Sequence, residues 1–354
     1  MKKMKVFKIS KMSQNMLQTV IGLIVIYIIM MIMSVTGHIS NSLSNLLIQL
    51  CIYAVAAVSL NLCVGFLGEL SLGHAGFMSV GAFASALFSN ATASVITQDT
   101  LRFFLALLFG MVMAAFFGFL IGIPVLRLNG DYLAIVTLAF GEIIKGLLNV
   151  TYVGKDATGV HFAMLDSKNL VLGDGGKMII NGAKGVTGTP HLATFTISML
   201  LLILVLVLST FLVNSRSGRA IMAIRDNRIA AESVGLNITK FKMIAFTISA
   251  TIAGVAGALY SHYLSALTAT KFDFNMSILF LVFVVLGGIG NFRGSIIAAV
   301  VLTALPEVLR GLSSYRMLIY AILLIVMMLL NWAPAAMDAR ARFMEKYFNR
   351  KKEV

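Results

Sequence analysis

Ser215-Arg216-Ser217-Gly218-Arg219-Ala220-Ile221-Met222-Ala223-Ile224-Arg225-Asp226-Asn227-Arg228 runs into Ile229-Ala230-Ala231-Glu232-Ser233-Val234-Gly235-Leu236. Continued to Lys242, this stretch is a polar island in an apolar chain. Residues Thr194 to Val213 before it and Met243 to Tyr263 after it are each long and apolar enough to cross a bilayer. The island carries six Lys or Arg against two acids, and the positive-inside rule therefore assigns it to the cytoplasm. Two spans joined by a cationic, helix-prone loop describe a membrane protein gripped from inside by something soluble. Within the island the spacing predicts a short helix, with Asp226 as N-cap, Asn227 to Ser233 as two turns and Gly235 as a left-handed stop.

Composition supports the same class. Hydrophobic residues make up 59% of the 354 and charged residues 12%, which is not the balance of a soluble domain. The net charge of +14 raises nucleic acid as a partner, but the placement of the charge argues against it. Of 28 Lys and Arg, 17 lie in the first 11 residues, the island and the tail after Trp332. A face turned to anionic lipid headgroups explains that clustering. Cys51 and Cys63 share one apolar run, about 18 Å apart on a helix, too far for a disulfide. The N-terminus resembles a signal peptide's charged start, but its apolar stretch is too long and Ser34-Val35-Thr36-Gly37 is a poor cleavage site. It reads as a retained first span.

The expected fold is an all-α polytopic membrane bundle with about ten transmembrane helices. The candidate spans are Met16–Thr36, Leu43–Val64, Leu72–Ser89, Phe103–Leu126, Tyr132–Val150, Thr194–Val213, Met243–Tyr263, Met276–Gly290, Ser295–Leu312 and Met317–Trp332. Six precede the island and four follow it, so the basic N-terminus (1–15), the island (215–242) and the basic tail (338–354) all fall on the cytoplasmic side of a permease-like domain, 16–337. The one long loop on the other side, Thr151 to Leu192, is expected to be structureless, serving either as a docking element or as a linker. Small residues at Ala250, Gly254 and Ala258, with Ala253, Gly257 and Ser261 beside them, predict close helix packing. Gly65-Phe66-Leu67-Gly68-Glu69 to Gly73 is faintly echoed by Gly287-Gly288-Ile289-Gly290-Asn291 to Gly294. Such paired glycine-rich breaks occur in transporter repeats.

Ionisable groups in a bilayer are costly, and they mark candidate functional positions. Glu142 and Lys145 lie halfway along the fifth span, three residues apart. They read as a self-neutralising ion pair, as part of a wet pathway, or as both. Glu69 and His74 bracket Leu70-Ser71-Leu72-Gly73. That segment reads either as a break in a helix lining the route or as a short cytoplasmic turn in which His74 bonds a neighbour. With Asn61, Ser71 and Thr137 they form the candidate translocation pathway. Asp131 reads as a helix N-cap, and Glu307 with Arg310 as a local pair. Catalytic and metal motifs are missing from the sequence, and so is a phosphate-binding Gly-x-x-x-x-Gly-Lys-Ser/Thr loop. Any ATP that drives this chain is hydrolysed by another.

Leu60-Asn61-Leu62-Cys63-Val64-Gly65-Phe66-Leu67-Gly68-Glu69-Leu70-Ser71-Leu72-Gly73-His74-Ala75-Gly76-Phe77 resembles the signature of branched-chain amino acid ABC transporter permeases of the LivM/LivH type. Gly130-Asp131-Tyr132-Leu133-Ala134-Ile135-Val136-Thr137-Leu138-Ala139-Phe140-Gly141-Glu142-Ile143-Ile144 is similar too, closer to the LivM half, and Val285 to Gly294 resembles the family's later glycine-rich segment. Gly218-Arg219-Ala220 to Ile224-Arg225, with Ala230-Ala231 and Gly235, resembles its ATPase-contact loop. The resemblance implies a permease subunit in the bacterial cytoplasmic membrane that binds no cofactor itself. Its implied partners are a second, LivH-type permease, two cytoplasmic ATPases that use the ATP, and an extracytoplasmic substrate-binding protein. ATPase coupling is then expected at Arg219, Arg225, Asp226, Ala230, Ala231, Glu232 and Gly235. Against the importer pattern Glu-Ala-Ala-x-x-x-Gly, Ile229 stands where the glutamate belongs. The implied cargo is a branched-chain or related amino acid. The alternatives are a self-sufficient secondary transporter or channel, using Glu142, Lys145 and Glu69 to couple ions, and an ABC permease for another small polar solute.

Overall fold

The computed structural model describes residues 11–36, 40–128, 130–156, 159–166 and 176–308, with isolated helical positions at 318, 321, 322 and 325. Residues 1–300 form one unit and Val301–Val354 a second, of which 301–308 and those four positions are described. The tenth expected span, the basic tail, the first ten residues and Arg310 lie outside the described residues or nearly so.

Long apolar runs make helices because a backbone in lipid must satisfy its own hydrogen bonds. The first unit holds α1 Lys11–Val35, α2 Asn41–Asn61, α3 His74–Ala91, α4 Asp99–Val125, α5 Asp131–Asn149, α6 Phe195–Asn214, α7 Arg216–Asp226, α8 Arg228–Ser233, α9 Ile238–Tyr263, α10 Phe274–Gly287 and most of α11, Phe292–Val308. Among the described residues, seven segments are long and apolar enough to cross a membrane, not ten. They correspond to α1, α2 with its extension to Leu67, α4, α5, α6, α9, and α10 with the turn before it. Leu72–Ser89 falls short because α3 begins only at His74 and carries three Ser and an Asn among its 18 residues. Ser295–Leu312 is described only as far as Val308, within α11, and the rest of it lies outside the described residues. The N-cap before α5 is Gly130, with φ of +61°, and Asp131 is the first helical residue.

The central helix is α9, packed against α2, α3 and α4. Its small residues permit this. A Cβ on Gly254 would stand 2.5 Å from the Ala114 Cβ, and one on Gly257 would stand 2.0 Å from the Met78 carbonyl oxygen. Without a hydrophobic force between helices in lipid, such close approach supplies the packing energy. Phe77, Phe246, Leu133, Ile121 and Ala253 fill the core beside it.

The fold is not all-α. The loop at 151–192, expected to be structureless, folds into β1 Thr151–Lys155, β2 Val160–Met164, β3 Lys177–Asn181 and β4 Val186–Thr187. With β5, Ala266–Leu267, they make an antiparallel sheet in the order β2-β1-β3-β4-β5. Val153, Ile180, Val186 and Leu267 are buried. Lys155 Nζ ties the sheet to the end of α3 through the Ala91 carbonyl (2.5 Å) and Ser94 Oγ (2.7 Å). Between the sheet and the end of α3 is a cleft of about 770 Å³ of mixed character, lined by Ser94, Lys155, Asp156 and Lys177 together with Ala93 and Ile179.

Candidate functional site

The helix begun at Asn41 widens into a π-helix over Leu62–Leu67 and stops at Gly68, whose φ is +79°. Residues 68–73 connect it to α3, and a buried connection must find partners for every backbone polar group. Neighbouring elements supply them. The Leu72 N–H donates to Thr137 Oγ1 of α5 (3.1 Å), and the Ala75 N–H donates to Ser277 Oγ of α10 (3.1 Å). Thr137 is fully buried and donates back to the Ala134 carbonyl. The sequence holds Thr137 and Ser277 far from Leu72 and Ala75, so only folding joins them.

Glu69 makes a buried ion pair with Lys242, the fifth residue of α9. His74 Nε2 lies 2.8 Å from Ser59 Oγ, whose own proton goes to the Ser249 carbonyl, while Ser249 Oγ donates to the Ser59 carbonyl. This double clasp binds α2 to α9. Ser71 Oγ and His74 Nδ1 are buried without a hydrogen-bond partner. The arrangement is a short connection between α2 and α3, held by Lys242 of α9 and close to Arg225 of α7, with His74 bonded to a neighbour.

The two glycine-rich segments meet here. Asn61 Oδ1 accepts from the Gly290 N–H (2.9 Å), and Asn61 Nδ2 donates to Ser295 Oγ (2.7 Å). Gly65 faces Gly290 so closely that a Cβ on it would stand 2.4 Å from the Gly290 nitrogen. Phe66 packs against Phe292 with ring centroids 4.7 Å apart and planes tilted by 35°. The structure thus gathers Asn61, Glu69, Ser71, His74 and Thr137. Glu142 and Lys145 do not join them: their ion pair lies on a partly exposed stretch of α5, beside the exposed Ile143 and Leu147.

The island is a helical hairpin. Ser215 caps α7 by accepting from the Gly218 N–H. Asn227 caps α8, its Oδ1 accepting from the Ala230 N–H at 3.0 Å. The cap is therefore Asn227, and Asp226 closes α7 instead, because the chain turns one residue later than the acid suggests. Gly235 has a φ of +83°, the left-handed stop expected there. Ala231 is buried with Ile224 and Ile238, which folds the hairpin onto the start of α9. Ala230, Glu232 and Arg219 are exposed, and Arg219 donates to the Asn214 carbonyl. Arg225 is exposed as well, but one end of its guanidinium reaches back to the bundle. Its Nη1 donates to the Gly65 carbonyl (2.7 Å), and its Nε and Nη2 are held by Asp226 (3.0 and 2.8 Å).

Sequence reasoning missed Lys242 as a site residue, along with Ser59, Ser249, Ser277 and Ser295. Lys242 is counted there only as one more cytoplasmic charge. Its place at the fifth residue of a long, mostly apolar helix was the available signal. Among the described residues no cluster of His, Cys, Asp or Glu could hold a metal ion.

Residues 42–330 match the family described as the branched-chain amino acid transport system / permease component. The chain belongs to this family. Among branched-chain permease components, it is 36% identical over 294 residues to the high-affinity branched-chain amino acid transport system permease protein LivM of Salmonella typhimurium and to that of Escherichia coli. Each match covers 80% of this chain and 67% of the relative. It is 25% identical over 290 residues to the probable LivM permease of Methanocaldococcus jannaschii, covering 71% of this chain and 76% of that one. No solved structure gives a significant match. The matched region contains both glycine-rich connections and the whole hairpin.

Proposed function

We propose that the chain is a LivM-type permease subunit of an ATP-driven importer and passes branched-chain amino acids across the cytoplasmic membrane. Beside it we place a second, LivH-type permease, two cytoplasmic ATPases and an extracytoplasmic binding protein. The observation that carries the reading is the hairpin, which projects between two spans and presents Ile229 (82% exposed) and Val234 (76%) on its outer surface. Apolar side chains so exposed on a charged loop mark an interaction surface. Ile229 occupies the position where importers of this general kind carry a glutamate, so the contact here is apolar, with Glu232 as the exposed acid nearby. ATP-driven closure of the ATPase pair moves the hairpin, and the hairpin biases the bundle between its access states.

Chain direction supports the orientation. If the hairpin is cytoplasmic, α6 leads to it from the sheet side and α9 leads back, and the cleft beside the sheet opens where a binding protein delivers its cargo. We place both termini in the cytoplasm from their basic residues. The test is reconstitution in proteoliposomes with the partner subunits and the binding protein. ATP-dependent uptake of labelled leucine, isoleucine or valine is expected, with none when the ATPases are omitted. Uptake by this chain alone under a proton or sodium gradient would instead make it a secondary transporter.

A further inference from the structure

The cytoplasmic hairpin touches the buried connections through one side chain. A helix leaves its last four carbonyls without intrahelical partners, and the helix ending at Leu67 is short of one more because the Gly68 and Glu69 N–H groups both turn to the Cys63 carbonyl. The Gly65 carbonyl is among those left over. Arg225 Nη1 fills it at 2.7 Å, bringing positive charge to the negative end of a helix that spans Asn41–Leu67. The guanidinium is fixed in orientation by Asp226 at 2.8 and 3.0 Å. Its stem crosses Gly68 so tightly that a Cβ there would stand 2.5 Å from Arg225 Cγ. On the other side is Gly290, at φ +78°, where an added Cβ would stand 3.8 Å from the same Nη1. One cation therefore sits where the end of the α2 helix, the 68–73 connection and the α10–α11 turn come together.

We propose that Arg225 is a positioning residue that caps the α2 helix from the hairpin and so transmits hairpin movement to both glycine-rich connections at once. The placement of the donors supports this. The hairpin's packing through Ile221, Ile224 and Ala231 is apolar and tolerates sliding, whereas a charged hydrogen bond to one carbonyl is directional. Movement of α7 either carries the Gly65 carbonyl with it or leaves that carbonyl unpaired inside the protein, which is unfavourable. Asn61 extends the link, since its side chain joins the last turn of α2 to Gly290 and Ser295. Glu69 and Lys242 hold the rest of the connection to α9, so the displacement is channelled into residues 65–68 and 288–291.

This inference rests on the hairpin being the ATPase contact, and two measurements separate its failure from the failure of that reading. In the complete importer, Arg225→Met is expected to lower amino acid uptake per ATP hydrolysed by about tenfold, a usual size for coupling between sites. Arg225→Lys, which keeps the charge and one donor, recovers part of it, and Arg216→Met, on an exposed cation of the same helix, serves as control. Hydrogen exchange on the purified permease does not depend on transport, and it is expected to quicken at residues 62–73 and 287–294 in Arg225→Met but not in Arg216→Met. A ratio changed by less than about twofold, or unchanged exchange at both connections, overturns the proposal. Absent ATP-driven uptake by the unmodified importer defeats the functional reading instead, and leaves the exchange result to judge the cap.

Discussion

Cutting the Glu69–Lys242 pair tests the tightest link between the connection and α9. Both residues are buried, with 11% and 7% of their side-chain surface exposed. Lys242→Met removes the cation while roughly keeping its stem, and leaves a carboxylate in the protein interior. Breaking a buried pair on one side costs about 3–5 kcal/mol, whereas replacing both partners by apolar residues is often neutral or stabilising. The loss expected for Lys242→Met or Glu69→Leu alone is thus about 3 kcal/mol, and the double variant is expected within about 1 kcal/mol of the unmodified protein. Glu142–Lys145 is an internal control. At 40% and 24% side-chain exposure, it is expected to contribute about 0.3–0.5 kcal/mol when measured in the same way. The assay is unfolding of the purified permease by titrating an anionic detergent into mixed micelles, read by fluorescence of Trp332. Single variants at Glu69 and Lys242 that each lose less than about 1 kcal/mol, or a double variant as damaged as the sum of the two, would refute a buried, mutually compensating pair.

Three further outcomes follow from particular distances and exposures. Gly65→Ala puts a Cβ 1.9 Å from Asn61 Oδ1 and 2.4 Å from the Gly290 nitrogen, so it is expected to separate the two connections and abolish folded protein in the membrane, read by detergent-extraction chromatography. Gly235→Val forces a branched residue to a φ of +83°, costing about 1–2 kcal/mol of local strain; the hairpin frays, and uptake falls before the thermal midpoint does. Ile229→Asp alters a residue that is 82% exposed, so stability is expected to stay within about 0.5 kcal/mol while co-purification of the ATPases is lost; retained co-purification would move the contact elsewhere on the hairpin.

The helices were legible because lipid allows few backbone solutions, and an apolar run of about 20 residues then has one main reading. The polar loop between α6 and α9 was legible for a related reason, since its charges cannot be placed inside a span, though only the second of its two helices was expected. Gly235 announced a left-handed stop correctly, but Asp226 and Asn227 are equally good caps, and the choice fell to the residue whose side chain reaches the Ala230 N–H. The sheet was overlooked although Thr151-Tyr152-Val153 and Met178-Ile179-Ile180 are rich in strand-forming residues. Each strand is only two to five residues long and is stable only when paired, and β5 comes from the far side of the hairpin and α9.

From sequence alone come the membrane class, the cationic hairpin between two spans and the two glycine-rich segments that resemble each other. These depend on local composition, which a single chain displays directly. Tertiary structure decided that the two segments touch, that Lys242 neutralises Glu69, and that Arg225 reaches the Gly65 carbonyl. Those outcomes join residues 160 to 229 positions apart. Their partners were selected by which buried groups were left without a hydrogen bond once the helices packed, and no spacing along the chain encodes that.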